Sequence, residues 1–255
     1  MTSGPHDQAA GPEVVVAVDP ASMAESAAAR TAQELRDVVA RHGVAHAMFA
    51  TGNSQLAFID ALVDPSYRVP WGDVVVFHMD EYVGIGPEHP ASFERWIATR
   101  IVDRTHPRAA YYLHGTADPD DECRRYADLL ADHPLDLCCL GIGENGHLAF
   151  NDPGVADFAD VADVKVVELD ADCRRQQVGE GHFASEADVP RRSMTVTVPA
   201  LLRADRVIAV VPEARKAVPV RDALRGPVSE QCPASALQRA PHATVFLDAS
   251  SAALV

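Results

Sequence analysis

Residues 141–152, Gly-Ile-Gly-Glu-Asn-Gly-His-Leu-Ala-Phe-Asn-Asp, set two acids, two amides and an imidazole among three glycines. Glu144 and Asp152 can hold protons, His147 can relay them near neutral pH, and Asn145 and Asn151 can bridge such groups. The segment follows an apolar run, 135–140, that reads as a buried strand. A glycine-shaped loop at a strand tip is where α/β enzymes place acid–base groups. An ordinary strand-to-helix turn would use the same Gly and Asn residues. A second strand end, Phe77-His-Met-Asp-Glu-Tyr82, carries two adjacent acids. Neighbouring strand residues point to opposite faces, so one of Asp80 and Glu81 is expected to enter a site and the other to cap or pair. A carboxylate near a half-buried strand end gains a raised pKa, which suits a general base. His78 reads as a packed core residue. The third segment, Thr51, Gly52, Asn53 and Ser54, offers hydroxyls and free N–H groups before an expected helix, which serves an anion site or a simple cap. It lacks the lysine of a Walker loop. Lys216 opens a later helix and can reach the same crevice.

These groups need elements to aim them. Short apolar runs at 13–18, 45–50, 73–78, 111–113, 135–140, 164–168, 194–198, 206–211 and 243–248 read as strands. Amphipathic runs at 21–41, 55–63, 89–103, 118–131 and 213–224 read as helices. Such alternation predicts an α/β fold with a mainly parallel sheet covered on both faces. Ligands then bind beyond the carboxyl ends of the strands, so the three polar segments are expected to face one crevice. Residues 12–255 read as one domain behind a polar tail, 1–11, expected to be disordered.

Bulk properties narrow the function. The chain has 255 residues and a formal net charge of −15, from 22 basic and 37 acidic side chains. That balance argues against nucleic acid and anionic membranes as partners, while a few local cations can still hold one phosphate. No apolar run approaches the roughly 20 residues of a membrane span, and a cytoplasmic protein is the expectation. The five cysteines, at 123, 138, 139, 173 and 232, show no C-x-x-C spacing, and no metal constellation stands out. Whether copies of the chain form a homo-oligomer is left open.

Taken together, the segments resemble the glucosamine-6-phosphate deaminase/isomerase family, which is related to the 6-phosphogluconolactonases. Met79-Asp-Glu-Tyr-Val-Gly84 with His89-Pro-Ala-Ser-Phe93 is similar to one signature of that family. The 141–152 loop is similar to its second, and 194–202 with Lys216-Ala217 fit later segments. The resemblance implies a modified Rossmann-like three-layer sandwich, no metal or organic cofactor, and a small sugar phosphate as substrate. It further implies that Thr51, Gly52, Asn53, Ser54 and Lys216 hold the phosphate, joined by Arg174 or Arg175. Asp80 matches the base that moves the C2 proton, and His147 matches the residue that helps open the sugar ring. Glu81, Glu144, Asn145 and Asp152 complete the acid–base set.

Two positions depart from the family pattern. Asn145 stands where the family has Asp, and Asp152 where it has Glu. Asn carries no charge to hold an imidazolium, and Asp is one methylene shorter than Glu; Glu144 is the nearby acid that could compensate. The implied reaction is conversion of glucosamine 6-phosphate to fructose 6-phosphate and ammonia. The altered histidine partners keep an alternative open, in which the same C2 carbanion of N-acetylglucosamine 6-phosphate expels its C3 hydroxyl, a dehydratase. A 6-phosphogluconolactonase fits less well, because Leu148-Ala-Phe-Asn151 follows the Gly-His pair. An inactive sugar-phosphate sensor fits least, because Asp80, His147 and Lys216 are all retained.

Overall fold

Alternate residues of the central strands feed two separate cores. In β2 (Ala45–Phe49), Ala45, Ala47 and Phe49 join one apolar cluster and Met48 the other. β3 (Val74–His78) divides likewise, with Val74 and Val76 on the first side and Val75 and Phe77 on the second. This period of two on strands apolar on both faces marks a sheet sandwiched between helical layers. The computed structural model describes residues 11–255 apart from 170, 180 and 182, and the backbone alone at 172 and 176. The tail expected over 1–11 lies, but for its last residue, outside the described residues.

Seven parallel strands form the main sheet in the order β1-β10-β9-β6-β2-β3-β5. The outer members are β1 (Glu13–Ala17) and β5 (Ala109–Tyr111). Between them lie β6 (Leu137–Leu140), β9 (Arg206–Val211) and β10 (Ala243–Asp248), besides β2 and β3. From β2 the chain moves outward to β3 and β5, then returns to the other side of β2 as β6 and continues to β9 and β10. The order of connection therefore reverses between β2 and β6, where an α/β sheet opens its ligand crevice.

The helix Pro20–His42 covers one face. Asp19 caps it by accepting from the Ser22 N–H at 2.7 Å, and Gly43 ends it at φ 78°. Its buried stripe, including Met23, Ala27 and Leu35, packs with Leu56–Leu62 and with Ile97 and Ile101. The opposite face carries Pro119–Asp132, Ala217–Arg225 and a second sheet. That second sheet is antiparallel, in the order β4 (Asp80–Tyr82), β8 (Arg192–Val196), β7 (Val164–Glu168). It stands beside the expected, parallel main sheet: after His78 the chain leaves that sheet, and Asp80 pairs with Thr195 instead.

Boundaries shift where caps and pairing decide them. The helix expected over 89–103 starts only at Phe93, because Ser92 caps it by accepting from the Arg95 N–H, and it widens to a π-helix over Ala98–Val102. The strand expected at 111–113 sits at Ala109–Tyr111, where β3 offers its free edge. Tyr126 fixes the carboxyl end of β3 by donating its hydroxyl to the His78 carbonyl at 2.7 Å and accepting the His78 N–H at 3.1 Å.

His78 is fully buried, and its Nε2 accepts the Leu113 N–H at 2.9 Å. Burial lowers its pKa from 6.5 to about 3, so the folded ring stays neutral. The unfolded chain takes up this proton near 6.5 and the folded chain does not, so stability is lost as pH falls between those values. Relative to the wild type, His78→Gln is expected to flatten the decline of unfolding free energy from pH 6 to 4 by up to ~1.4 kcal/mol per pH unit, measured by denaturant titration.

Candidate active site

Four adjacent strands, β9, β6, β2 and β3, deliver their carboxyl ends to one open cavity of about 730 Å³ including its mouth. Its lining includes Thr51, Gly52, Asn53 and Ser54 after β2, Asp80 after β3, His147 after β6 and Lys216 after β9. Glu81, Glu144, Asn145, Asp152, Arg174 and Arg175 do not line it.

Asp80 and Glu81 part company as strand alternation requires. Asp80 is 7% exposed, and its Oδ1 is buried with no hydrogen-bond partner. Burial, with the neighbouring Glu81 charge, pushes its carboxyl up to about 8. A cavity-lining carboxyl with so high a proton affinity has the chemistry of a general base. Glu81 turns away. Its Oε2 accepts from the Ser92 hydroxyl at 2.7 Å and the Glu94 N–H at 2.8 Å, and its Oε1 from the Tyr82 N–H at 2.9 Å. Burial still raises its pKa against those hydrogen bonds. Glu81 thus joins β4 to the first turn of the Phe93 helix and holds Asp80 from behind.

His147 is oriented by both departures from the family pattern acting together. Its Nδ1 lies 2.8 Å from Asn145 Oδ1 and 3.1 Å from Asp152 Oδ1. Asn145 Oδ1 also accepts the His147 backbone N–H at 3.1 Å, while its Nδ2 donates to Asp152 Oδ1 at 2.8 Å. Both neighbours of Nδ1 are acceptors, so the network assigns the ring proton to Nδ1 and leaves Nε2 as the acceptor nitrogen. Burial disfavours the Asp152 charge, but hydrogen bonds from His147, Asn145 and Cys173 outweigh it and hold the carboxyl below its ordinary range. The missing charge at Asn145 is therefore supplied by Asp152 itself. Glu144 takes no part in this line, because its Oε1 pairs with Arg215 Nη1 at 2.8 Å.

Glycine at 143 is a steric requirement. A Cβ there would stand 2.1 to 2.3 Å from three atoms of the His147 ring. Gly146, at φ 84°, closes the same turn in a conformation L residues rarely adopt.

The opposite wall is cationic. Lys216 is 4% exposed, and its backbone N–H donates to the Glu213 carbonyl at 2.9 Å. Gln55 ties the Thr51 loop to this wall by donating to the Val210 carbonyl and the Ser54 hydroxyl, each at 3.1 Å. Arg174 lies elsewhere, with its Nη2 3.1 Å from Glu186 Oε1. Further lining residues outside the expected catalytic and phosphate-binding set include Arg215, Gln177, Phe93 and Phe150. Gln177 Oε1 accepts from the Tyr82 hydroxyl at 2.5 Å, so its amide donors are what it can offer a ligand. Phe150 packs on Tyr82 as core, as its apolar character suggests, and still borders the cavity. Only Arg215 carried a usable signal, its place beside Lys216. Among the described residues no three His, Cys, Asp or Glu side chains converge as a metal site, and no helix is long and apolar enough to cross a membrane.

The chain is similar to known proteins. The profile of the family described as glucosamine-6-phosphate isomerases/6-phosphogluconolactonase matches residues 18–246. A glucosamine-6-phosphate deaminase of Exiguobacterium sibiricum is 33% identical over 91% of this chain and 90% of its own length. One from Lacticaseibacillus paracasei is 32% identical over 80% of this chain and 84% of its own. Among solved structures, a monomeric glucosamine-6-phosphate deaminase superposes with a TM-score of 0.86 at 27% identity, covering 95% of this chain and all of that one. A 6-phosphogluconolactonase from Shewanella baltica shares the fold, with a TM-score of 0.75 at 18% identity over 93% of this chain and 97% of its own.

Substitution at position 143 isolates the role of the imidazole. Gly143→Ala must displace the His147 ring, and a misplacement of ~1 Å costs about 100-fold in rate. Turnover is expected to fall by at least that factor in a steady-state assay, with a melting temperature within a few degrees of wild type.

Proposed function

The chain belongs to the glucosamine-6-phosphate isomerase/6-phosphogluconolactonase family, and from that premise we propose that it is a glucosamine-6-phosphate deaminase, releasing fructose 6-phosphate and ammonia. The observation that carries the proposal is the Asp80 carboxyl, its proton affinity raised by burial, on the same cavity as His147 and Lys216. The names of the relatives support the substrate.

The residues divide the work by chemistry. Lys216 and the hydroxyls of Thr51 and Ser54 hold the phosphate, and the N–H groups about Asn53 add donors. His147 moves a proton between the anomeric hydroxyl and the ring oxygen, opening the sugar; Asp152 and Asn145 hold its Nδ1 proton so that Nε2 makes the exchange. The C2 proton becomes acidic once C1 is a carbonyl. Asp80 removes it and returns it to C1, leaving an imine at C2. Water adds to that imine, and ammonia leaves. Arg174 and Arg175 have no part in this scheme.

Elimination of the C3 hydroxyl from an N-acetylated sugar drew its support from the uncharged Asn145. With Asp152 3.1 Å from the imidazole, a carboxylate still faces the ring, which supports the deamination reading. Purified protein given glucosamine 6-phosphate should release ammonia and fructose 6-phosphate in equal amounts. Water loss from N-acetylglucosamine 6-phosphate without ammonia from the free amine would reverse the choice.

Asp80 must be ionised to accept the proton. Since burial pushes its carboxyl up to about 8, kcat/KM is expected to rise with pH through that value and to fall roughly tenfold per unit below it. Asp80→Asn should remove at least ~100-fold of the C2 proton exchange followed by deuterium incorporation. Exchange at the wild-type rate would remove Asp80 as the base.

A further inference from the structure

Arg215 borders the cavity beside Lys216 yet appears in no part of the scheme above. Its Nε donates to Glu213 Oε2 at 2.6 Å and its Nη1 to Glu144 Oε1 at 2.8 Å. A guanidinium has five N–H donors in a planar fork, so these two contacts leave three. The three side chains are each between 38% and 46% exposed, so solvent weakens the ion pairs at this rim. A dianionic phosphate offers the same acceptors with more charge and can be gripped by two parallel N–H groups.

The backbone beneath is built to hold this turn. Glu213 has φ 81°, a left-handed conformation unusual for a residue with a side chain. Its N–H donates to Asp248 Oδ2 at 2.6 Å, and its carbonyl receives the Lys216 N–H. Asp248 is 1% exposed and is itself held by the N–H groups of Ser250 and Ser251. Strain retained by such an over-determined network is a mark of functional positioning. It brings two consecutive cations, Arg215 and Lys216, to one wall of the cavity.

From this geometry we infer that Arg215 is the guanidinium that grips the substrate phosphate and that Glu144 is the counter-ion it leaves when phosphate binds. Glu144 belongs to the same loop as His147, so phosphate arrival frees one anchor of the loop that carries the proton relay. The inference rests on the sugar-phosphate reading for its ligand, not on the reaction that follows.

The test is isothermal titration of inorganic phosphate into the full-length protein, which requires no turnover. Arg215→Ala is expected to weaken phosphate binding by roughly tenfold or more, and Arg215→Lys by less, because the fork is lost while the charge remains. Glu144→Gln is expected to tighten binding, by about two- to fivefold, by removing the competing carboxylate. A folding defect cannot produce that gain. Arg221→Ala, a charge removed from the exposed Arg221–Asp222 pair, should change affinity by less than about twofold. In the enzyme assay Arg215→Ala should raise KM more than it lowers kcat. The assignment is overturned if Arg215→Ala binds phosphate as well as wild type, if Arg174→Ala or Arg175→Ala weakens binding as much, or if Glu144→Gln fails to tighten it. Phosphate binding that depends on Arg215 in a protein releasing no ammonia would uphold this inference and remove the deaminase.

Discussion

Parallel pairing of β2 with β6 is the constraint on which the site depends. The chain reaches β6 only after two excursions on the far side of β2, so the loops after these neighbouring strands must diverge. The Ala50 N–H donates to the Cys139 carbonyl at 2.8 Å, keeping the strands together to their last residues. Beyond that bond the Thr51 loop and the glycine loop separate, and the cavity opens between them. A sheet with its strands in connection order would leave no such crevice.

The groups at the crevice are set by complementary use of burial. Asp80 is buried and its Oδ1 has no hydrogen-bond partner, so its proton affinity rises. Asp152 is also buried, but three hydrogen-bond donors hold its charge. Two buried carboxylates of the same residue type thus receive opposite proton affinities, because one is held by hydrogen-bond donors and the other is not. Glu81 shows a third outcome. Its three hydrogen bonds spend the side chain on joining β4 to a helix start, which keeps Asp80 aimed at the cavity.

Much of the arrangement was legible beforehand. The β-branched run ending at His78 and the apolar run ending at Leu140 announced strands, and the polar residues after each announced loops. Less legible was the second sheet, because β4 has only three residues, Asp80–Tyr82, and exists through pairing with β8, over 100 residues later. Gln177 and Arg215 escaped for a related reason. A glutamine in a polar helix and an arginine among surface charges look like solvated residues until the fold folds them against the cavity.

The amino-acid sequence by itself determined the strand and helix alternation, the identity of the chemical groups and the glycines that let the 141–152 loop turn. These are local properties, fixed by side-chain patterning and backbone freedom. Tertiary structure alone decided the surroundings of each acid. Sequence presented Asn145 and Asp152 as two separate losses, an absent charge and a shortened reach. In space they are one device, with the Asn145 amide spanning from Asp152 to the imidazole while the Asp152 carboxylate itself approaches Nδ1. Roles of this kind depend on burial and on distances across a turn, and spacing along the chain encodes neither.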